Sequence, residues 1–291
     1  MSIPVEELHP QVVAMLEEGE GAAVVERDPA LLRADYEALT PEQCGPGEPV
    51  ATVRDLAEPV PMRVYEPDDA HGTVVFLHGG GWVVGSLDSH DALARALANA
   101  SGARVVLPDY RLAPEHPYPA ALEDAEAALA FARTFGDPVA VAGDSAGGGL
   151  AAVLARRHRD LRLQALVYPV LDAGMATASY ERYAEGYRLT AEDMAWFFET
   201  YGGDPDDPDV SPLRARDLAG LPPASITLAS HDVLRDEGCA YAERLRAANV
   251  DVSVTVVDGM VHGFIRWLAK VDAARAAVTE LGGALRAALR E

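Results

Sequence analysis

Short apolar runs alternate with longer amphipathic stretches along most of this 291-residue chain. Several of the short runs are apolar at every position, which is typical of strands that helices cover on both faces. This alternation predicts an α/β fold, with a mostly parallel central sheet flanked by helices. The predicted strands are Thr73–Leu77, Arg104–Leu107, Val139–Ala142, Gln164–Tyr168, Ser225–Ala229 and Val252–Val257, with Val50–Val53 and Met62–Tyr65 as an antiparallel pair at one edge. The predicted helices are Asp91–Ala100, Ala120–Phe135, Gly147–Arg157, Leu234–Ala248 and Ala273–Leu289.

Two segments fall outside this alternation and contain no candidate strand. The first is acidic and helix-prone, with helices predicted at His9–Glu17 and Pro29–Ala38. The second contains a predicted helix at Ala191–Tyr201, followed by the breaker-rich stretch GGDPDDPDVSP. Because no Gly/Ser-rich or charged linker divides the chain, we predict one core with a helical cap over it. The predicted cap is 1–45 and 172–216, and the predicted core is 46–171 and 217–291.

The charge balance excludes several classes of partner. Forty-six acidic residues against 24 basic ones give a formal net charge of −22. A surface this negative repels phosphate backbones, so nucleic acid is not an expected partner. No apolar run is long enough to span a membrane, and the opening residues MSIPVEELHP lack the features of a secretory signal. With only two cysteines, a disulfide framework or a zinc site is not expected, and we predict a cytoplasmic location.

A serine stands in a small-residue turn between an apolar strand and a helix. Gly143-Asp144-Ser145-Ala146-Gly147 follows the predicted strand that ends at Ala142 and leads into a helical run. This G-x-S-x-G pattern presents a nucleophile on a tight strand-to-helix turn, where only small neighbours avoid a clash. Out of context the same letters more often form a glycine-rich turn without chemistry. In this strand-to-helix context we predict that Ser145 is a nucleophile.

Three consecutive glycines follow another apolar strand, in the sequence His78-Gly79-Gly80-Gly81-Trp82. Glycines allow the backbone to approach a ligand closely, so the amide hydrogens of Gly79, Gly80 and Gly81 can point into one concave site. Together with the amide of Ala146, such donors stabilise the oxyanion that forms when a carbonyl is attacked. The alternatives are a bare glycine turn and a nucleotide loop, but a phosphate loop has a lysine after the glycines and this one has none.

Taken in order, these motifs resemble the hormone-sensitive lipase family of bacterial esterases within the α/β-hydrolases. The resemblance rests on HGGGWVVGSLDSHD (78–91), DYRLAPEHPYPAALED (109–124), GDSAGGGLA (143–151), HDVLRDEG (231–238) and VHGF (261–264). It implies an α/β-hydrolase fold and an oxyanion hole formed by Gly80, Gly81 and Ala146, with Gly79 in the same loop. It also implies carboxylesterase activity on short acyl chains, and a homodimer.

The resemblance implies further roles around these motifs. Asp109-Tyr110-Arg111 and Glu115 resemble a structural brace of the family. Trp82 and the cap segments are expected to line the acyl and alcohol pockets, and Asp144 is a further predicted substrate contact. The apolar cap residues expected near the pocket mouth are Met15, Leu31, Leu32, Trp196, Phe197 and Phe198.

The candidate base is His262, one of eight histidines. It lies in the predicted loop Asp258–Gly263 after the last predicted strand, which satisfies the hydrolase order of serine, acid and histidine. His78 belongs to the glycine-rich loop, and we expect it to orient that loop by hydrogen bonding. The histidines near predicted helices, expected at the surface or in packing, are His90, His116 and His158.

The candidate acid is Asp232, which follows the predicted strand Ser225–Ala229 at its carboxyl end. Loops at the carboxyl ends of parallel strands converge on one face, where such a site is expected. The family pattern usually has proline after this aspartate, whereas Val233 stands here. The alternative acids are Asp172, Asp236, Glu237 and Asp258.

These residues predict acyl transfer to water, with a small-molecule ester as substrate. Ser145, deprotonated by His262, attacks the carbonyl, and water then hydrolyses the acyl-enzyme. This mechanism requires neither a metal nor an organic cofactor. An amidase, lactonase or deacetylase could use the same triad, and a non-catalytic small-molecule receptor on this fold is a further alternative.

Overall fold

The computed structural model describes residues 8–17 and 27–290, which contain an eight-stranded sheet. The strands are β1 (Thr52–Leu56), β2 (Met62–Glu66), β3 (Thr73–Leu77), β4 (Arg104–Pro108), β5 (Val139–Asp144), β6 (Gln164–Val167), β7 (Ala224–His231) and β8 (Val252–Val261). Their order across the sheet is β1-β2-β4-β3-β5-β6-β7-β8. Every neighbouring pair is parallel except the two that include β2. The predictions of a mostly parallel sheet and of an antiparallel pair at one edge are confirmed.

Helices cover the sheet because its central strands are apolar on both faces. All residues of β3, β4, β5 and β6 are buried. The helices are α1 (Pro10–Met15), α2 (Pro29–Cys44), α3 (Asp91–Ser101), α4 (Ala120–Arg133), α5 (Ala146–Arg157), α6 (Ala178–Arg182), α7 (Ala191–Tyr201), α8 (Arg235–Ala247) and α9 (Asp272–Arg290). Helix α3 packs on α9, α4 packs on α5, and α8 packs on β7 and β8.

The last strand is longer than the sequence predicts. β8 continues through Asp258, which was predicted to begin a loop, and ends at Val261. Beyond Ala229 the pairing with β7 shifts and resumes at His231. This irregularity extends both strands toward the same end of the sheet. Asp232 and His262 therefore follow their strands directly, without an intervening loop.

Helix α2 extends six residues past its predicted end at Ala38 and contains Pro41. Proline removes one helical hydrogen bond, but the last turn is held because Gln43 and Cys44 are buried. At its other end the Asp28 carboxylate accepts a hydrogen bond from the amide of Ala30, which is a typical helix N-cap. Of the predicted N-terminal cap segment, residues 1–7 and 18–26 lie outside the described residues.

The second predicted cap segment contains two helices, of which only α7 was predicted. A capping box fixes its start, because the Thr190 side chain bonds the Asp193 amide and the Asp193 side chain bonds the Thr190 amide. The shorter helix α6 has only five residues and no amphipathic repeat to reveal it. Its Ser179 hydroxyl donates to the carbonyl of Val233, so this segment contacts the chain just beyond Asp232.

Candidate active site

Ser145 lies on a sharp turn between β5 and α5. Its φ of 55° is in the left-handed region, which is uncommon for a residue with a side chain and places strain at this position. The turn requires glycine at Gly147, because a Cβ there would lie 2.0 Å from the carbonyl oxygen of Leu77. Gly143 is equally confined, since its Cβ would lie 2.3 Å from the carbonyl oxygen of Gly147. The sequence of small residues is therefore a steric requirement of the crossing between β3, β5 and α5.

The structure brings the predicted serine, histidine and aspartate together. The Nε2 atom of His262 lies 2.9 Å from Ser145 Oγ, and its Nδ1 atom lies 2.8 Å from Asp232 Oδ2. All three residues are buried. The other oxygen of Asp232 accepts a hydrogen bond of 3.0 Å from the Leu234 amide, which fixes the carboxylate. The Tyr168 ring lies 4.5 Å from the imidazole, centroid to centroid, and packs against it.

The alternative acids have other partners. Asp172 accepts from the Arg214 guanidinium, and Asp236 pairs with Arg235. Glu237 accepts a hydrogen bond of 2.6 Å from the Leu171 amide. Burial raises the pKa of the Glu237 carboxyl well above its ordinary value. Asp258 is exposed on β8, so the geometry favours Asp232.

The glycine loop, His78–Gly85, forms a tight turn beside Ser145. Gly80 and Gly81 have φ values of 128° and 58°. A Cβ on Gly80 would lie 2.1 Å from the carbonyl oxygen of Val84, whose amide donates to the carbonyl of Gly80. Over the parts of the chain that the structure describes, no hydrogen bond uses the amides of Gly80, Gly81 or Ala146. These amides are therefore free to bind a substrate oxygen.

Two of the predicted site residues at this loop have partners inside the protein. The Gly79 amide donates a 2.8 Å hydrogen bond to Asp144 Oδ1, so it is engaged and is not a free oxyanion donor. Asp144 is 2% exposed, and its contact with substrate stays a prediction. Its carboxylate is directed at the loop, and His90 Nε2 lies 3.5 Å from the same oxygen. Asp144 thus connects the nucleophile turn to the glycine loop from inside the protein.

Comparisons with known proteins agree with this geometry. Residues 74–266 match a family model described as the alpha/beta hydrolase fold. The carboxylic ester hydrolase LipN of Mycobacterium tuberculosis is 40% identical over 93% of this chain and 79% of its own length. A Pseudomonas putida protein named ethyl acetate hydrolase is 41% identical over 74% of each chain. The ester-hydrolase EH1AB1 from the metagenome of Lake Arreo has a TM-score of 0.91 at 34% identity, covering 98% of this chain and 100% of its own.

The chain belongs to the hormone-sensitive lipase-like esterases of the α/β-hydrolase family. It is a carboxylic ester hydrolase, which confirms the predicted family and activity. In the described part of this esterase, no helix is long and apolar enough to cross a membrane. Within residues 8–17 and 27–290, no cluster of three or more His, Cys, Asp or Glu side chains could hold a metal ion.

The other histidines at the esterase site support the glycine loop. His78 Nδ1 donates to the carbonyl of Gly79 at 2.9 Å, and its ring stacks on Tyr110 at 4.1 Å. Burial lowers the pKa of His78 to about 3, so the ring is neutral and its Nδ1 proton is available for this bond. The Tyr110 hydroxyl donates to the carbonyl of His78 at 2.7 Å. The predicted orienting role of His78 fits these contacts.

His90 lies at the centre of a buried polar cluster. Its Nδ1 is 2.9 Å from the Ser89 hydroxyl, on the side opposite Asp144. Burial lowers the pKa of His90 despite the neighbouring carboxylate. Burial alone would raise the pKa of the Asp144 carboxyl, but His90, the Arg266 guanidinium and the Gly79 amide together hold it below its ordinary value. The ring is therefore neutral and lies beside an ionised carboxylate.

Aromatic side chains join the glycine loop to α7. Trp82, with φ at 61°, stacks on Tyr201 at 4.2 Å and lies 5.5 Å from Phe198, centroid to centroid. The Phe197 ring lies over Gly81, where a Cβ would come within 2.2 Å of it. Trp82 is 3% exposed, so its observed contacts are packing between loop and cap. Its contact with substrate stays a prediction.

Arg111 and Glu115 of the predicted brace make contacts with two different helices. Arg111 donates to the Asp124 carboxylate through Nε, Nη2 and its backbone amide. Glu115 instead binds Arg33 of α2 through both carboxylate oxygens, at 2.9 and 2.7 Å. Sequence reasoning missed Arg33, because no local motif marks a residue that contacts the core 82 positions away.

Proposed function

We propose that this esterase forms an acyl-enzyme on Ser145, with His262 as base and Asp232 as the group that orients the base. The observation that carries the proposal is the continuous path of two hydrogen bonds, 2.8 and 2.9 Å long, from Asp232 through the imidazole to Ser145 Oγ. With Asp232 accepting from Nδ1–H, the lone pair of Nε2 faces the serine. His262 can then remove the hydroxyl proton as Oγ attacks the ester carbonyl.

The amides of Gly80, Gly81 and Ala146 are the proposed oxyanion hole. Ala146 is the first residue of α5, where the helix dipole also favours negative charge. A donor fixed before the reaction needs no reorganisation as charge develops, and one such donor contributes about 100- to 1,000-fold to kcat. The positive φ values of Gly80 and Gly81 support a loop built to present its amides.

Protonated His262 then supplies its proton to the leaving alcohol. In the second half-reaction the same nitrogen removes a proton from water, which attacks the acyl carbonyl and releases the acid from Ser145. Asp232 stays ionised and stabilises the imidazolium in both halves.

We propose small esters with short acyl chains as substrates, of about two to eight carbons, with each buried methylene contributing up to about 0.8 kcal/mol until the pocket is filled. The Phe197 ring over Gly81 limits the space next to the proposed oxyanion hole. One relative is named ethyl acetate hydrolase. In this proposal residues 1–45 and 172–216 act as one cap that closes the pocket.

The nucleophile is tested by labelling and substitution. Diethyl p-nitrophenyl phosphate should modify the protein stoichiometrically, and peptide mass spectrometry should locate the adduct on Ser145. Ser145→Ala should lose both the labelling and the hydrolysis of p-nitrophenyl butyrate while keeping its unfolding midpoint. Ser253→Ala, at an exposed position on β8, is the matched control and should behave as wild type. An adduct on another serine would refute the assignment.

The reaction class is tested with matched substrates. Phenyl and p-nitrophenyl esters, lactones and anilides with the same acyl group should be compared by kcat/KM. We expect the aryl esters to exceed the anilides and lactones by at least about tenfold, because a phenolate is a weaker base than an anilide nitrogen or a lactone alkoxide and leaves with less help from a general acid. Preference for an anilide or a lactone would reassign the enzyme to amidases or lactonases.

We also propose a homodimer and a cytoplasmic location. Among the described strands, β8 pairs only with β7, and its Val256 is 45% exposed. An open edge with an apolar side chain can pair with a second copy. Light scattering should give twice the 30.9 kDa chain mass. The two cysteines are unpaired, as is usual in a reducing compartment, and cell fractionation tests the location.

A further inference from the structure

One face of α2 lies against the outside of the glycine loop. Its side chains there are Arg33, Tyr36, Glu37 and Thr40, and residues three and four positions apart on a helix share a face. The Glu37 carboxylate accepts a 2.6 Å hydrogen bond from the Ser86 hydroxyl, next to the end of the loop. Thr40 accepts from the buried Arg266 guanidinium, which also stacks over the Tyr36 ring at 3.9 Å.

Arg33 is the member of this face that reaches the turn itself. Its Nε donates a 2.8 Å hydrogen bond to the carbonyl of Val83. Val83 is part of the turn that carries Gly80, because its own amide donates to the Gly80 carbonyl at 3.0 Å. A shift of Val83 therefore moves the peptide groups of Gly80 and Gly81.

The same guanidinium connects that turn to a second segment of the core. Its Nη2 donates to the carbonyl of Ala113 at 2.9 Å, and both terminal nitrogens bind the Glu115 carboxylate. The Ala113 amide in turn donates to the carbonyl of Trp82 at 2.9 Å. Arg33 thus closes a ring of contacts through Val83, Trp82 and Ala113.

Stability alone does not account for this arrangement. The Arg33 and Glu115 side chains are 30% and 55% exposed, and exposed ion pairs contribute little to stability. The planar guanidinium can bind two carbonyls and a carboxylate at the same time, whereas a lysine ammonium cannot. Arg33 lowers the pKa of Glu115 to about 2, so the carboxylate stays ionised under ordinary assay conditions.

We propose that Arg33 is a positioning residue for the oxyanion hole, through which cap helix α2 holds the Gly80–Gly81 turn in its reactive geometry. This inference rests on the proposed function, because it needs those amides to bind the substrate oxygen. Its consequence is that closure of the cap and transition-state stabilisation are linked. An enzyme with α2 displaced would bind ester but turn it over slowly.

The test measures kcat and KM of Arg33 variants for p-nitrophenyl butyrate, per active site titrated with diethyl p-nitrophenyl phosphate. Arg33→Met keeps much of the aliphatic stem and removes the fork, and we expect kcat to fall about 10- to 100-fold, less than for a lost oxyanion donor, because the amides are displaced but still present. KM should change less than threefold. Arg33→Lys should also fall about tenfold, because one ammonium cannot hold both carbonyls. Arg27→Met is the matched control, since Arg27 pairs with Glu192 of α7 and not with the loop.

A transition-state analogue separates positioning from a general structural effect. A trifluoromethyl ketone forms a tetrahedral oxyanion on the serine, so its inhibition constant should rise by the same factor by which kcat/KM falls in each Arg33 variant. Methylguanidine should restore part of the kcat of Arg33→Ala. Because rates are given per titrated active site, the kcat of a partly unfolded variant still refers to its folded fraction. If Arg33→Met does not fold, Arg33→Lys, which retains the positive charge, serves as the test.

The outcomes distinguish the two proposals. Wild-type protein without ester hydrolysis or labelling of Ser145 would refute the proposed function. Active wild-type protein with unchanged kcat and analogue affinity in Arg33→Met or Arg33→Lys would overturn the role of Arg33 alone. A rise in KM with constant kcat would also overturn it, because that pattern indicates lost substrate binding.

Discussion

The nucleophile turn and the glycine loop lie side by side but are held by different means. Ser145 is fixed by backbone bonds from the core, since its amide donates to the carbonyl of Val167 and its carbonyl accepts from Gly149 and Val170. The glycine loop depends on side chains: Asp144 on the Gly79 amide, Tyr110 on the His78 carbonyl and Arg33 on the Val83 carbonyl. The position of Ser145 is therefore fixed by the backbone of the sheet and α5, whereas the glycine loop is fixed by side chains from several segments.

The difference predicts that substitutions in the triad abolish turnover and substitutions around the loop reduce it. Asp232→Asn should lower kcat about 10,000-fold with little change in KM, because the base loses its orientation and tautomer while the pocket is intact. Stopped-flow and steady-state assays with p-nitrophenyl butyrate check this. Asp236→Asn and Asp172→Asn are the controls, and a larger loss in either would reassign the acid.

Asp144 links the two regions, so its substitution sharpens the comparison. Asp144→Ala leaves the Gly79 amide without its acceptor, and we expect kcat to fall about 100-fold, as for one lost oxyanion donor. Unfolding free energy should fall by about 1–3 kcal/mol, because a buried polar group loses its partner. Asp144→Asn keeps an acceptor oxygen and should lose less of both, as measured by kinetics and urea unfolding. An equal loss of kcat in the two variants would show that the hydrogen bond from the Gly79 amide to residue 144 does not determine the rate.

Substitution of Phe197, in cap helix α7, tests whether the cap limits the acyl chain next to the glycine loop. Phe197→Ala removes the ring over Gly81, so the ratio of kcat/KM for octanoate to that for acetate esters should rise about three- to tenfold, which corresponds to one or two additional buried methylenes. Labelling of Ser145 should keep its wild-type rate to within about threefold. Glu199→Ala, exposed on the same helix, should leave the chain-length profile unchanged. An unchanged profile in Phe197→Ala would place the acyl pocket elsewhere.

The smallest expected effect is on the pH dependence of the unfolding free energy, through the buried Glu237. Burial raises the pKa of Glu237 well above its ordinary value of 4.5, so the folded protein binds this proton more tightly than the unfolded chain. That contribution is complete below about pH 4.5 and is lost as pH rises through the folded pKa. Glu237→Gln should therefore flatten the decline of unfolding free energy between about pH 5 and 8, measured by urea unfolding. The exposed Glu199→Gln is the control, and a slope equal to wild type in Glu237→Gln would contradict this reasoning.

The sequence could point to the candidate triad because its signals are local and ordered. Ser145, Asp232 and His262 each follow a strand, and a parallel sheet brings the ends of such strands to one edge. Their hydrogen bonds agree with that prediction. The glycine loop was recognisable for the same reason, since its glycines directly follow β3.

Contacts that depend on packing between distant segments could not be predicted from the sequence. Arg33 lies 50 positions from Val83, and nothing in the residues around it distinguishes it from a surface arginine. Asp144 is adjacent to Ser145 in the sequence, but the sequence does not show that its carboxylate accepts a hydrogen bond from the Gly79 amide, 65 positions away. Helix α2 continues beyond Pro41 because burial of its last turn outweighs the loss of one hydrogen bond. Helix propensities describe single residues and do not include such burial.

The register of α2 limits how this chain can diverge. Arg33, Tyr36, Glu37 and Thr40 face the loop together, and each residue inserted in a helix rotates the remainder of that helix by about 100°. An insertion or deletion inside α2 would therefore swing part of this face toward solvent while leaving the composition almost unchanged. A change of length outside α2 does not rotate this face. Lineages that acquire new substrates are expected to alter the cap by substitution within α2 and by changes of length outside it.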